Sequence, residues 1–268
     1  MTFGLIDLVE NLTVPSQDDG RQFVRRERII EISRRLEDAP YARLGNEPLA
    51  LVWRHRDLRT DAPFVLLSTH VDSVYLRYSC VVGEREIRGT LDNSATNAVA
   101  LHLMLAGSLD PQVVVAFTGD EEEDCQGADA ALSCCSGLGE VPGLPEMVVT
   151  LDLTEERFGM SPFTVENYFR RKGTPRTRLR FDSKKSLKAF IAEKLPGMDP
   201  AFIPDAEPDE SWQYDEHDLN CFSLCLPCRC LGADMHDEVG VVVRRDDATA
   251  HARALVELLR NVAADVRR

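Results

Sequence analysis

Two hydrophobic periods alternate along the chain. FGLIDLVENL carries apolar residues at helical spacing and predicts a helix that stops at TVPS, where Pro15 prevents continuation. Residues 21–36 predict a charged amphipathic helix whose apolar side is marked by Phe23, Ile29, Ile30, Ile32 and Leu36. LALVWRHR (49–56) and FVLLSTH (64–70) then read as strands. CVVGEREIRG (80–89) suggests a hairpin or edge segment with Gly83 in the turn, and 94–107 a buried helix. VVVAFTG (113–119) is a continuous apolar strand, followed by a helix over 127–136 and a second buried strand, MVVTLDL (147–153).

The second half is less regular. KKSLKAFIAEKL (184–195) predicts a helix ended by Pro196-Gly197. PDAEPDESWQYDEHD (204–218) is polar and proline-containing and reads as a loop. SLCLPCR (223–229) looks like a strand interrupted by Pro227, and EVGVVV (238–243) like another. Residues 247–265 predict a final helix with Asp246 or Asp247 as its N-cap.

Apolar strands alternating with helices imply an α/β fold, a three-layer α/β/α sandwich around a mostly parallel central sheet. No internal repeat or low-complexity linker divides the chain, so a single domain over 1–268 is expected. In such sheets ligands bind beyond the carboxyl ends of the strands. His70 after FVLLST, Glu121 after VVVAFTGD and Asp152 in VVTLDL all fall there.

Charge narrows the partners. The formal net charge is −14, which repels nucleic acid and anionic lipid, so neither is expected as a partner. No run approaches the length of a membrane span. The N-terminal stretch has no basic region and no long apolar core, so an export signal is not expected. The eight cysteines then read as reduced thiols of a cytoplasmic protein. Those in CFSLCLPCRC (221–230) offer one CxxC spacing and are read first as core thiols.

Five side chains carry the candidate chemistry: His70, Asp92, Glu122, Asp152 and His236. Each has an ordinary reading. A histidine at a strand end is commonly structural, and an aspartate in GTLDNS is commonly a turn former. Taken together they need another account. Two carboxylates about 4 Å apart repel by roughly 4 kcal/mol at an effective dielectric near 20. Four meeting at one sheet edge must lie apart, take up protons, or hold cations. Imidazole and carboxylate donors suit zinc, with manganese or cobalt as alternatives.

STHVDSV, GTLDNSATNAVAL, FTGDEEEDCQGA, VTLDLT and ADMHDE, in that order, resemble the zinc exopeptidase superfamily with two co-catalytic metals, over roughly residues 5 to 265. The resemblance implies a phosphorylase/hydrolase-like exopeptidase fold and a site for two divalent ions. It assigns one ion to His70, Asp92 and Asp152 and the other to Asp92, Glu122 and His236, with Asp92 bridging. Asp72 would support His70, and Asp92 and Asn93 would be joined by a cis peptide. Counting back from Gly127-Ala128 makes Glu121 the general base, acting on a water held between the metals.

Spacing bears on the branch. His70 and Asp92 are 22 residues apart, and Asp152 and His236 are 84 apart. Neither interval holds a lid or dimerisation domain of the usual size. A compact aminopeptidase is therefore favoured, although LVENLTVPS resembles the carboxypeptidase and dipeptidase branch. The implied substrate is a peptide with a free terminus. The alternatives are an N-acyl amino acid for an amidohydrolase on the same metals, or a ligand for a non-catalytic relative. A homo-oligomer is left open. Of the remaining residues, Glu123, Asp124, His55 and His251 read as surface, and Trp212 and Tyr214 as pocket lining or packing under a loop. Arg170, Arg171 and Lys172 read as a solvated patch.

Overall fold

The computed structural model describes residues 4–14, 26–75, 77–122, 124–136, 143–167, 184–203, 206, 209–232 and 239–267. The elements run α1 (Leu5–Leu12), α2 (Arg26–Leu36), β1 (Tyr41–Leu44), β2 (Ala50–His55), β3 (Val65–His70), β4 (Cys80–Val82) and β5 (Glu86–Gly89). Then come α3 (Ser94–Leu105), β6 (Val113–Thr118), α4 (Gln126–Ser136), β7 (Met147–Thr154), β8 (Thr164–Glu166) and α5 (Lys184–Lys194). The chain continues with β9 (Ala201–Ile203), α6 (Ser211–Glu216), β10 (Cys221–Cys230), β11 (Val241–Arg244) and α7 (Arg245–Val266).

The sheet order is β1-β2-β6-β3-β7-β10-β11-β5-β4, with β8 paired to β10 and β9 to the far side of β8. The four central strands β6, β3, β7 and β10 are parallel, as their continuous apolar runs require. Both flanks are antiparallel. Helices α1, α2, α3, α5 and α7 cover one face, where Val65, Leu67, Val115, Phe117, Val149 and Leu224 enter the larger core. Helices α4 and α6 cover the other, against Leu66, Val114, Ala116 and Val148. Each such aliphatic side chain contributes about 1.5–3 kcal/mol on burial. Helix α3 is buried nearly all round, which its run of alanine, valine and leucine permits. None of the described helices is long and apolar enough to cross a membrane.

The structure departs from several expectations. On α2 the buried positions are Arg28, Ile32 and Leu36, spaced four apart, and Ile30 is 63% exposed. Arg28 can be buried because its Nε donates to Leu12 O at 3.0 Å and its Nη1 to Val71 O at 2.8 Å. The supposed loop 204–218 contains α6. Asp209 accepts the Ser211 N–H at 2.9 Å, and Tyr214 is fully buried. Pro227 does not interrupt β10, because it stands between the stretch paired with β8 and the stretch paired with β11. Asp246 and Asp247 lie in the first turn of α7 rather than at its N-cap, which is Arg244. Their charges still favour the helix N-terminus. His251 is buried, not on the surface.

Candidate active site

Strand pleating builds the site at the carboxyl ends of β3, β6 and β7. His70 closes β3, Asp152 lies near the end of β7, and the acidic turn leaves β6 after Thr118. Two residues in that turn adopt positive φ although neither is glycine: Asp120 at 65° and Cys125 at 53°. Asp120 anchors the turn with its own oxygens. Its carbonyl accepts from the N–H of Asp124 and of Cys125 (2.6 Å), and its carboxylate from Gln126 N–H at 3.3 Å. The turn therefore closes on an aspartate, which tolerates the left-handed region better than most residues. Gly127 is needed next, since a Cβ there would stand 2.1 Å from the Gly119 carbonyl oxygen. Without it α4 could not approach the strand end.

The carboxylates converge on one imidazole. His70 Nε2 lies 3.4 Å from Asp92 Oδ1, 3.4 Å from Asp152 Oδ1 and 3.9 Å from Glu121 Oε2. Its Nδ1 lies 3.5 Å from Asp72 Oδ1, and Asp72 Oδ2 accepts the Glu122 N–H at 3.2 Å. His70, Asp92 and Glu122 each offer a ligand atom, all within 4.8 Å of one another. Six of the seven residues expected at the site, His70, Asp72, Asp92, Glu121, Glu122 and Asp152, are thus brought together. His236, Glu123, Arg170, Arg171 and Lys172 lie outside the described residues.

Residues at the start of α3 hold this arrangement; the cis peptide before Asn93 is the one the resemblance implied, whereas the parts played by Thr96 and Asn97 were not expected from the sequence. The Asp92–Asn93 peptide is cis. Asn93 Nδ2 donates to Leu151 O at 2.9 Å, and Thr96 Oγ1 donates to Asn93 Oδ1. Asn97 Nδ2 donates to His70 O at 2.8 Å. The available signal was the polar opening of α3, Ser94, Thr96 and Asn97 ahead of an apolar run, where buried polar groups need partners.

Electrostatics show what the site could hold. Burial pushes the Glu121 carboxyl well above its usual range against the pull of His70. Burial, then Asp92, pushes Glu122 up to about 8, and burial also raises Asp152. Burial would lower His70, but the Glu121 and Asp152 carboxylates outweigh it and hold the imidazole well above its ordinary value. This group of acids would gain from positive charge. Glu122 Oε1 is buried with no hydrogen-bond partner among the described residues. Nitrogen and oxygen donors at these separations are the set that zinc-type ions take, so the residues present fit divalent metal.

A second acidic layer was also missed. Asp209 and Glu210, just ahead of α6, are buried, as is Glu166 on β8. Burial pushes Glu210 and Glu166 up to about 7 each. One signal was present: no proline or glycine occurs from 209 to 226, which is unusual for a loop. Elsewhere Trp212 is half-exposed, His217 pairs with Asp129 at 2.5 Å, and Cys221, Cys225 and Cys228 are buried in β10.

No family model and no curated protein matches the chain. Solved structures do match. An aminopeptidase from the archaeon Desulfurococcus kamchatkensis aligns over 98% of both chains, with a TM-score of 0.72 and 11% identity. Aminopeptidase PepT from Bacillus cereus aligns over 97% of this chain and 98% of its own, with a TM-score of 0.66 and 10% identity. The TET1 peptidase of Pyrococcus horikoshii, which can assemble into a tetrahedron or a large octahedral shell, aligns over 96% and 99%, with a TM-score of 0.64 and 14% identity. At these identities the likeness is one of fold. This chain has the α/β peptidase fold of the TET and PepT aminopeptidases, the fold that the resemblance implied.

Proposed function

We propose that the chain is a metal-dependent exopeptidase, an aminopeptidase or dipeptidase cleaving the peptide bond next to a free terminus. The supporting observation is the meeting of His70, Asp92 and Glu122 within 4.8 Å, with Asp152 and Glu121 beside them. The aminopeptidase identity of the structural neighbours points the same way.

His70, Asp92 and Asp152 would hold one divalent ion, and Asp92, Glu122 and His236 the other, zinc first. Bound there, the two ions would supply Lewis-acid polarisation of the scissile carbonyl and acidify the attacking water. Glu121 takes the water's proton and returns it to the leaving amine. A carboxyl raised by burial suits that exchange. Asp72 orients the His70 ring from its Nδ1 side, and the Glu122 N–H in turn fixes Asp72. A single catalytic domain is part of the proposal. So is a cytoplasmic setting, with which eight free cysteines agree. So is self-association, for which the exposed Val81 and Val82 of edge strand β4 offer a surface.

The test is hydrolysis of aminoacyl anilides, dipeptides and N-acyl amino acids by protein whose metal content is measured. Glu121→Gln is expected to retain metal and lose about 10²–10⁴-fold in turnover. Cleavage confined to N-acyl amino acids would make the protein an amidohydrolase. Full metal with no turnover on any of them would sink the hydrolase reading. Light scattering of the purified protein checks self-association.

A further inference from the structure

Beneath the candidate site the parallel strands carry a row of hydroxyls. Ser68 on β3 pairs in register with Thr150 on β7, and Thr150 with Ser223 on β10. Strand alternation puts Ser68 on the same face as His70 and Thr150 on the same face as Asp152, each two residues earlier. Thr118, the last residue of β6, is level with His70 and two residues before Asp120. All four are buried, so each hydroxyl needs a partner inside the protein.

The acceptors come from the residues ahead of α6. Glu210 Oε2 accepts from Thr118 Oγ1 at 2.6 Å. Asp209 accepts from Ser223 Oγ and from the Ser211 N–H. Thr150 donates to Ser223 at 2.8 Å, and Ser68 bonds the Tyr214 hydroxyl at 2.8 Å. Asp209 and Glu210 are only 5% and 3% exposed, and Glu210 Oε1 has no hydrogen-bond partner among the described residues. Among the described residues the partners of the two carboxylates are hydroxyls and an amide, with no lysine or arginine, and Glu210 is left only partly satisfied. Buried acids held in this way contribute little to stability, since replacing both hydrogen-bond partners by apolar groups of the same shape can be nearly neutral or stabilising.

We propose that Asp209 and Glu210 are positioning residues for the site above them. Glu210 holds the end of β6 through Thr118, and so sets where the turn carrying Glu121 and Glu122 begins. Asp209 holds β10 through Ser223 and, by way of Thr150, the part of β7 that carries Asp152. The inference rests on the metal-dependent hydrolase reading and extends it to a second layer of the same site.

Cobalt(II) titration of the metal-stripped full chain, followed by its visible absorption, tests this alongside turnover. Glu210→Met keeps length but removes the acceptor, and Thr118→Val removes the donor. Each is expected to cost about 10–100-fold in cobalt affinity or kcat and to shift the cobalt bands, as loss of a supporting partner does at metal sites. Glu210→Gln, which can still accept from Thr118, should recover most of the loss. The double variant should be no worse than either single one, because the two act as one unit. Ser223→Ala should report on Asp209 in the same way. Should Glu210→Met not fold, the nearly isosteric Thr118→Val carries the test. Wild-type cobalt bands, affinity and turnover in Thr118→Val would overturn the inference and leave the metal site standing, and so would additive losses in the double variant. A wild-type chain that takes up no cobalt would overturn the site reading and this inference with it.

Discussion

The two faces of the central sheet are made by the same four strands and differ in one respect. Toward α3 and α7, the side chains of β6 are Val113, Val115 and Phe117, and those of β3 start with Val65 and Leu67, apolar almost to the strand ends. Toward α4 and α6, the same strands run Val114, Ala116, Thr118 and Leu66, Ser68, His70, apolar at the start and polar at the finish. One face is a core throughout. The other is a core for half its length and chemistry for the rest. Adjacent residues therefore answer to different demands, and substitutions at neighbouring positions should fail in different ways.

The sharpest contrast lies between Phe117 and Thr118. Phe117→Ala empties space on the apolar face and should cost about 3–5 kcal/mol in urea unfolding, with turnover per folded molecule changed little. Protonation of His251 comes next. It is buried on the apolar side, where its Nε2 donates to Leu224 O at 2.9 Å, and burial lowers its pKa from 6.5 to about 4. The unfolded chain binds that proton more readily than the folded one. Its stabilising effect is therefore full above pH 6.5 and lost as pH falls toward 4, by about 3 kcal/mol in all. Unfolding measured across that window should show the loss in wild type and a smaller one in His251→Gln. An equal loss in both would break the account. The smallest expected effect on stability is that of Thr118→Val, about 1 kcal/mol for one hydrogen bond, although its effect on the site is large.

Much of this was legible in the sequence, for reasons that also mark its limits. The central strands announce themselves as unbroken apolar runs, and the site residues stand where those runs end. Strands β8 and β9 are three residues each, too short to show a period. Arg28 was hidden because a charged residue on an amphipathic helix reads as surface, and the carbonyls of Leu12 and Val71 that receive its guanidinium are distant in sequence. His251 did leave a trace, since it shares helical spacing with Ala248, Leu255 and Leu258, all buried. Asp209 and Glu210 left less. Their surroundings are polar, and the hydroxyls that hold them come from β6, far upstream, and from β10, which follows them.

The alternating pleat of β3 has a consequence for the history of such a chain. Deleting one residue before Ser68 would turn His70 toward α3 and bring Leu67 round to the acids, so reading-frame-preserving slips within these strands would abolish the site at once. Exchanges that keep strand length are tolerated separately on either side. Descendants of this molecule can thus drift far in the composition of their interior while the spacing of a handful of strand-end residues stays fixed.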